Sequence, residues 1–210
     1  MENTENTEKL DFILSESTEL FRKYGIRSIS MDDIARELGM SKKTIYLYVN
    51  NKADLLEKGF SKLQQDFVAS IQQIGYSDLN AIDELLEVSK LVNVEFKKYN
   101  PSNVYDLQKY YPEIFKEHIK VEKQFTYDMI KENLQKGIEQ GFYREEQDIE
   151  LIASLYIQKV ESIHDEEFLK QACIPMEKIF EVMFEHHIRG ISNQQGIAYF
   201  EQRKQQLKFE

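Results

Sequence analysis

Apolar residues return every three or four positions along almost the whole chain, and that spacing leaves little but α-helix open to it. Leu10, Ile13, Leu14, Ser17, Leu20, Phe21 and Tyr24 fall on one continuous stripe, the repeat of a helix with one face on a core. A second stripe carries Leu56, Phe60, Leu63, Phe67 and Ile71. Three prolines and eight glycines in 210 residues are too few for a turn-dense all-β protein. Those present act as punctuation: Gly25 and Gly39 close the first two helices, and Pro112 and Pro175 stand near the start of later ones. The pattern predicts helices over about 10–24, 31–38, 41–49 and 52–75, then 78–98, 102–109, 112–140, 148–164 and 175–187. Residues 192–198 read as a loop and the polar tail after them as helical or frayed. The predicted fold class is all-α.

Composition removes several functions. Lys and Arg number 27 against 37 Asp and Glu, a formal net charge of −10, which argues against a general polyanion binder. No apolar run approaches the roughly 18–20 residues of a membrane helix. The opening MENTENTEKL has neither the cationic nor the apolar region of a secretory signal. One cysteine, Cys173, admits no internal disulfide and fits a reducing compartment, so a cytoplasmic location away from membranes is expected. G-x-S-x-G, P-loop and H-E-x-x-H patterns do not occur. Cys173, His118, His164, His186 and His187 lack the spacing of a structural zinc site. Neither an enzyme nor a metal or cofactor is expected, and Cys173 reads as a small buried hydrophobe.

The charge is uneven in one informative place. Over residues 36–52, Arg36, Lys42, Lys43 and Lys52 are opposed by Glu37 alone, a basic island on an acidic body. It coincides with MDDIARELGMSKKTIYLYVN, residues 31–50, where two short helices meet at Gly39-Met40-Ser41 in a helix-turn-helix pattern. Ser30 is placed to cap the first helix, with Asp32 and Asp33 in its first turn. Ala35 permits close approach, Ile34 and Leu38 line the inner side, and Ile45 packs into the angle. Lys42, Lys43, Thr44 and Leu47 or Tyr46 are left outward as groove-directed candidates. A helical hairpin with a solvated lysine face is the other reading of this window.

Residues 13–60 as a whole resemble the DNA-binding region of the TetR family of bacterial transcriptional regulators. The resemblance is carried by Leu20-Phe21 and Gly25, by Ser30 through Ala35, by Gly39 through Tyr46 with Tyr48, and by Lys52-Ala53-Asp54-Leu55-Leu56. Val49 stands where the family usually has Phe. The resemblance implies DNA contacts from Ser30, Ser41, Lys42, Lys43, Thr44, Tyr46, Tyr48 and Lys52. Ser30 and Thr44 would offer hydroxyls to phosphate, the two adjacent lysines would enter or flank the major groove, and Lys52 would clamp a further phosphate. Core packing is the alternative for Tyr46, and a merely solvated position for Tyr48 and Lys52. Because phosphate contacts carry no sequence information, specificity would rest on residues 41–47.

The resemblance further implies a DNA-binding domain over 1–51 and a helical ligand-binding and dimerisation domain over 52–210. The helices at 148–164 and 175–188 carry apolar residues over an arc wider than one stripe. Such an arc needs two partners, the chain's own core and a second subunit; in the family the last two long helices form a four-helix dimer bundle. Phe96, Tyr105, Tyr110, Tyr111, Phe115, His118, Phe125, Tyr127 and Met129 supply aromatic and soft surface for a small-molecule pocket. The function expected is a repressor on a palindromic duplex operator, released by an apolar or aromatic effector. An all-helical protein-interaction module without a specific operator is the alternative.

Overall fold

The computed structural model describes residues 2–98, 100–163 and 174–207, and among them no strand is present. The helices are α1 (Glu2–Tyr24), α2 (Met31–Glu37), α3 (Lys42–Ile45), α4 (Lys52–Gly75), α5 (Ala81–Lys97), α6 (Pro101–Tyr110), α7 (Pro112–Glu139), α8 (Ile149–Ile163), α9 (Met176–Ile191) and α10 (Gln194–Leu207). An isolated antiparallel bridge pairs Tyr143 with Ser192. The all-α expectation holds, with instructive differences at the ends. Regular α3 covers only Lys42–Ile45 and then continues as hydrogen-bonded turns through Val49. The expected loop at 192–198 is mostly helix, because Asn193 Oδ1 accepts from the Gly196 N–H at 3.0 Å and caps α10. His164 and Cys173 lie outside the described residues.

The chain forms two compact units. One comprises the residues up to Ala69 together with Lys98–Glu122; the other comprises Ser70–Lys97 and the residues from Lys123 onward. Compactness therefore groups α6 and the start of α7 with the N-terminal helices and does not cut the chain at Lys52. In the first unit Ile13, Leu14, Phe21, Ile34, Ile45 and Leu56 form the centre of a buried cluster. The stripe on α1 is inward except at its end: Tyr24 is about half exposed, with the Lys23 ammonium over its ring. Gly59 lets α4 abut α1, since a Cβ there would lie 2.4 Å from Thr18 Oγ1.

The second unit is tied by buried polar groups as well as apolar ones. The Asp83 carboxylate accepts from Arg203 Nε at 2.6 Å and from the Tyr199 hydroxyl. Despite desolvation by burial, these donors and Asn80 hold its pKa below the usual range. Glu185 and Arg189 of α9 pair with Lys204 and Glu201 of α10, and the hydrogen bonds from Lys204 and Arg189 bring the Glu185 pKa to about 2. His187 is the opposite case. It is buried against the Tyr156 ring at 4.5 Å between centroids, and burial, with Lys159 nearby, lowers its pKa from 6.5 to about 4.

That shift makes a measurable contribution to acid sensitivity. Above pH 6.5 the imidazole is neutral in both folded and unfolded chains. Between pH 6.5 and about 4 the unfolded chain takes up a proton that the folded one excludes, so stability falls by up to about 1.4 kcal/mol per pH unit. Thermal melts across this window are expected to show a shallower decline for His187→Phe than for the parent chain. Equal slopes would show that the side chain admits a proton without unfolding.

Candidate nucleic-acid interface

Two reversals of the backbone set the geometry of the motif. Gly25 follows α1 at φ 91° and Gly39 follows α2 at φ 63°, left-handed conformations that residues with a Cβ rarely adopt. α2 opens with a capping box: Ser30 Oγ accepts from the Asp33 N–H at 3.2 Å, and Asp33 accepts from the Ser30 N–H at 3.0 Å. The hydrogen bonds from Ser30, aided by Arg36, hold the Asp33 carboxyl below its usual range. At α3 the Ser41 Oγ accepts from the Thr44 N–H at 3.0 Å, and the two hydroxyls share a bond of 2.8 Å. Ile34, Ala35 and Ile45 are buried in one cluster, which leaves the opposite side of α3 to solvent.

The sequence-predicted contacts divide on this geometry. Lys43 is exposed and, among the described residues, makes no ion pair. Tyr46 is 45% exposed and Leu47 75%, so Tyr46 takes the outward alternative to core packing. Lys42 is held by Asp32 at 2.9 Å, which raises its pKa. Because Ser41 and Thr44 share one hydrogen bond, one of their two hydroxyl hydrogens remains for an acceptor. The Ser30 hydroxyl already donates to Asp33 at 2.6 Å, so a phosphate would have to displace that bond. The Tyr48 ring packs against the core and its hydroxyl donates to Asn6 at 2.8 Å.

Lys52 has a structural task beside the phosphate role suggested for it. Its ammonium donates to the carbonyls of Ile26 and Ile29, lies 5.6 Å from the centroid of the Phe21 ring, and has its pKa lowered by desolvation. Two of three donors are thus spent on the turn between α1 and α2, leaving one for an anion.

That same turn is gripped from α6 by residues that sequence reasoning overlooked. Asn103 Oδ1 accepts from the Ile26 N–H at 3.0 Å and its amide donates to the Phe21 carbonyl at 2.9 Å. Asp106 accepts from the Arg27 N–H at 3.1 Å, and Asn100 donates to the Arg22 carbonyl at 3.0 Å. The signal was a polar face on α6, with Asn103 and Asp106 buried beside Leu107. Asn103→Ala is expected to cost about 2–4 kcal/mol, because it strands a buried donor and a buried acceptor at once. Chemical denaturation measures this; a loss below about 0.5 kcal/mol, the range of ordinary surface substitutions, would mean that water replaces both bonds.

The aromatic set proposed for a ligand pocket is not brought together. Tyr105 and Tyr110 are exposed on α6, with the Lys109 ammonium over both rings and the Arg27 guanidinium also over Tyr110. The buried side of α6 belongs to Asn103, Asp106 and Leu107 instead. Tyr111 and Phe115 pack against the first unit's core. His118 meets the Phe60 ring and lines a cavity of about 200 Å³ in that unit. Phe96 packs edge-on against Phe180, and Tyr127 is half-buried. Only Phe125 and Met129 of the set line the larger cavity, a solvent-open groove of about 410 Å³ in the second unit between the end of α4, α5 and α7.

Comparison with known proteins places the motif in a family. Residues 13–58 match the model for bacterial regulatory proteins of the tetR family. An HTH-type transcriptional regulator of Staphylococcus aureus (strain bovine RF122 / ET3-1) is 32% identical over 96 residues, 44% of this chain and 48% of the relative. The match thus spans about half the length of that relative. Among solved structures, a transcriptional regulator from Cytophaga hutchinsonii ATCC 33406 superposes with a TM-score of 0.72 at 20% identity, over 88% of this chain and 99% of that one. A regulator from Saccharomonospora viridis in complex with choline gives 0.70 at 17% identity, over 90% of this chain and 100% of that one. At these identities the structural likeness is one of fold. The family match thus covers the helix-turn-helix region, residues 13–58, and the chain as a whole shares an all-α fold with these transcriptional regulators.

Proposed function

We propose that this protein is a sequence-specific DNA-binding regulator, a repressor released from its operator by a small molecule. The observation that carries the reading is the family match over a helix-turn-helix whose apolar residues are buried and whose Lys43, Thr44 and Tyr46 are left accessible. In this reading Ser41, Lys42, Lys43, Thr44 and Tyr46 face the major groove, while Ser30, Tyr48 and Lys52 hold phosphates. Functional division falls at Asn51/Lys52, with the effector and dimer functions beyond it.

A homodimer through α8 and α9 is supported by Leu151, Leu155 and Val182, all close to half exposed or more. The shallow groove lined by Ile152, Leu155, Tyr156 and His186 adds to that face. A two-fold dimer would present two recognition helices about 34–36 Å apart, one turn of DNA. The choline bound in the Saccharomonospora regulator supports small-molecule binding by this fold. α4 carries Lys52 at one end and cavity-lining Ile71 and Gly75 at the other. A ligand preferring one position of that helix therefore shifts the population that binds DNA. Selection of bound genomic fragments tests the reading: a palindrome with salt-sensitive affinity is expected, and recovery of no palindrome would favour a protein-interaction module.

A further inference from the structure

The hydroxyl of Tyr48 has one hydrogen, and the fold has already used it. The ring packs against the core of the first unit, and the hydroxyl donates to Asn6 Oδ1 at 2.8 Å. A phosphate oxygen only accepts, so in this arrangement Tyr48 has no hydrogen to offer it. Asn6 does. Its oxygen is taken by Tyr48, which orients the amide, while Nδ2 keeps two hydrogens with no hydrogen-bond partner among the described residues. Asn6 continues the α1 stripe of Leu10, Ile13 and Ser17, the side held to the core, yet it is itself exposed. It stands beside the end of the segment that presents Lys43, Thr44 and Tyr46. Lys9, one turn on, is also exposed and makes no ion pair among the described residues. Lys9 lies about 60° around the helix from Asn6, whereas Glu5 and Glu8 lie about 100° and 160° away.

We propose that Asn6 is a DNA-backbone contact of this protein, donating its amide to a phosphate oxygen, and that Tyr48 is the positioning residue that aims it. Of the phosphate contacts read above, that of Tyr48 is thus made through Asn6. The DNA interface then extends from the helix-turn-helix to the first turns of α1. A contact to phosphate adds affinity without sequence preference. Because the donor is a neutral amide, it also adds nothing to the salt dependence, which follows the cations that neutralise phosphates.

This rests on the reading of the protein as an operator-binding regulator, and its test separates the two. The full chain and its variants are titrated against the palindromic duplex recovered by genomic selection and a non-palindromic duplex of equal length, at several salt concentrations. Asn6→Ala is expected to weaken binding to both duplexes about tenfold, the worth of a hydrogen bond to a charged group, with the salt slope unchanged. Tyr48→Phe is expected to cost less, about threefold, and to add nothing in the Asn6→Ala background. Asn6→Asp keeps the acceptor for Tyr48 but loses both donors and faces phosphate with a carboxylate, so it is expected to bind more weakly than Asn6→Ala. Unchanged or tighter binding by Asn6→Ala, the result if a released Tyr48 itself donates to phosphate, would overturn the proposal, as would full additivity of the two substitutions. Equal affinity of the parent chain for both duplexes, with the Asn6 pattern intact, removes the operator reading and leaves the backbone contact standing. Operator preference with Asn6→Ala at parent affinity does the reverse.

Discussion

Gly137→Ala is expected to lower the melting temperature by about 10 °C, the equivalent of about 3–5 kcal/mol for a chain of this size. A Cβ at that position would stand 2.0 Å from the Tyr143 ring. The ring has nowhere to go: Tyr143 is fully buried, its hydroxyl donates to Asn133 Oδ1 at 3.0 Å, and its N–H donates to the Gly137 carbonyl at 3.1 Å. Overpacking a core costs about 1–3 kcal/mol, and a displaced ring leaves Asn133, which is also buried, short of a donor at a further 1–3 or so. A double-mutant cycle with Tyr143→Ala isolates the clash. The two substitutions together are expected to cost well below the sum of each alone; simple additivity would show that the ring is not what excludes the methyl group.

Lys43→Glu is expected to reduce operator affinity by about 100-fold or more while leaving the fold intact. Lys43 is exposed and, among the described residues, pays for no ion pair when it leaves solvent for DNA. A lost base contact costs about 1–3 kcal/mol, and in a dimer it is lost in both half-sites, with repulsion from the introduced carboxylate added. Lys42→Ala should do less, because Asp32 already holds that ammonium. Binding isotherms at several salt concentrations check both, with the slope falling for each phosphate contact removed. Wild-type affinity in Lys43→Glu would take α3 out of the groove.

The polar interior shows where reading a sequence stops. Asn103 and Asp106 of α6 are 77 and 79 positions from the backbone groups they hold at Ile26 and Arg27. Lys52 reads as a basic residue opening a helix beside a basic motif, and nothing local announces that its ammonium is folded onto the Ile26 and Ile29 carbonyls. The aromatic residues of the middle helices misled for a related reason. Composition marks Tyr105 and Tyr110 as pocket material, whereas the register of α6 gives its buried side to Asn103, Asp106 and Leu107.

By itself the sequence determined the helical class, the helix-turn-helix and the outward position of Lys43. These depend on interactions within a turn or two of helix: a hydroxyl three residues from the N–H it caps, a glycine free to take positive φ, apolar residues every three or four positions. Only the tertiary structure decided where the cavities lie and that Tyr143 leaves no room for a side chain at position 137. Those facts come from close-packed side chains on different helices, where a shift of an ångström separates contact from clash. Their partners are brought together by the fold, so no spacing along the chain records them.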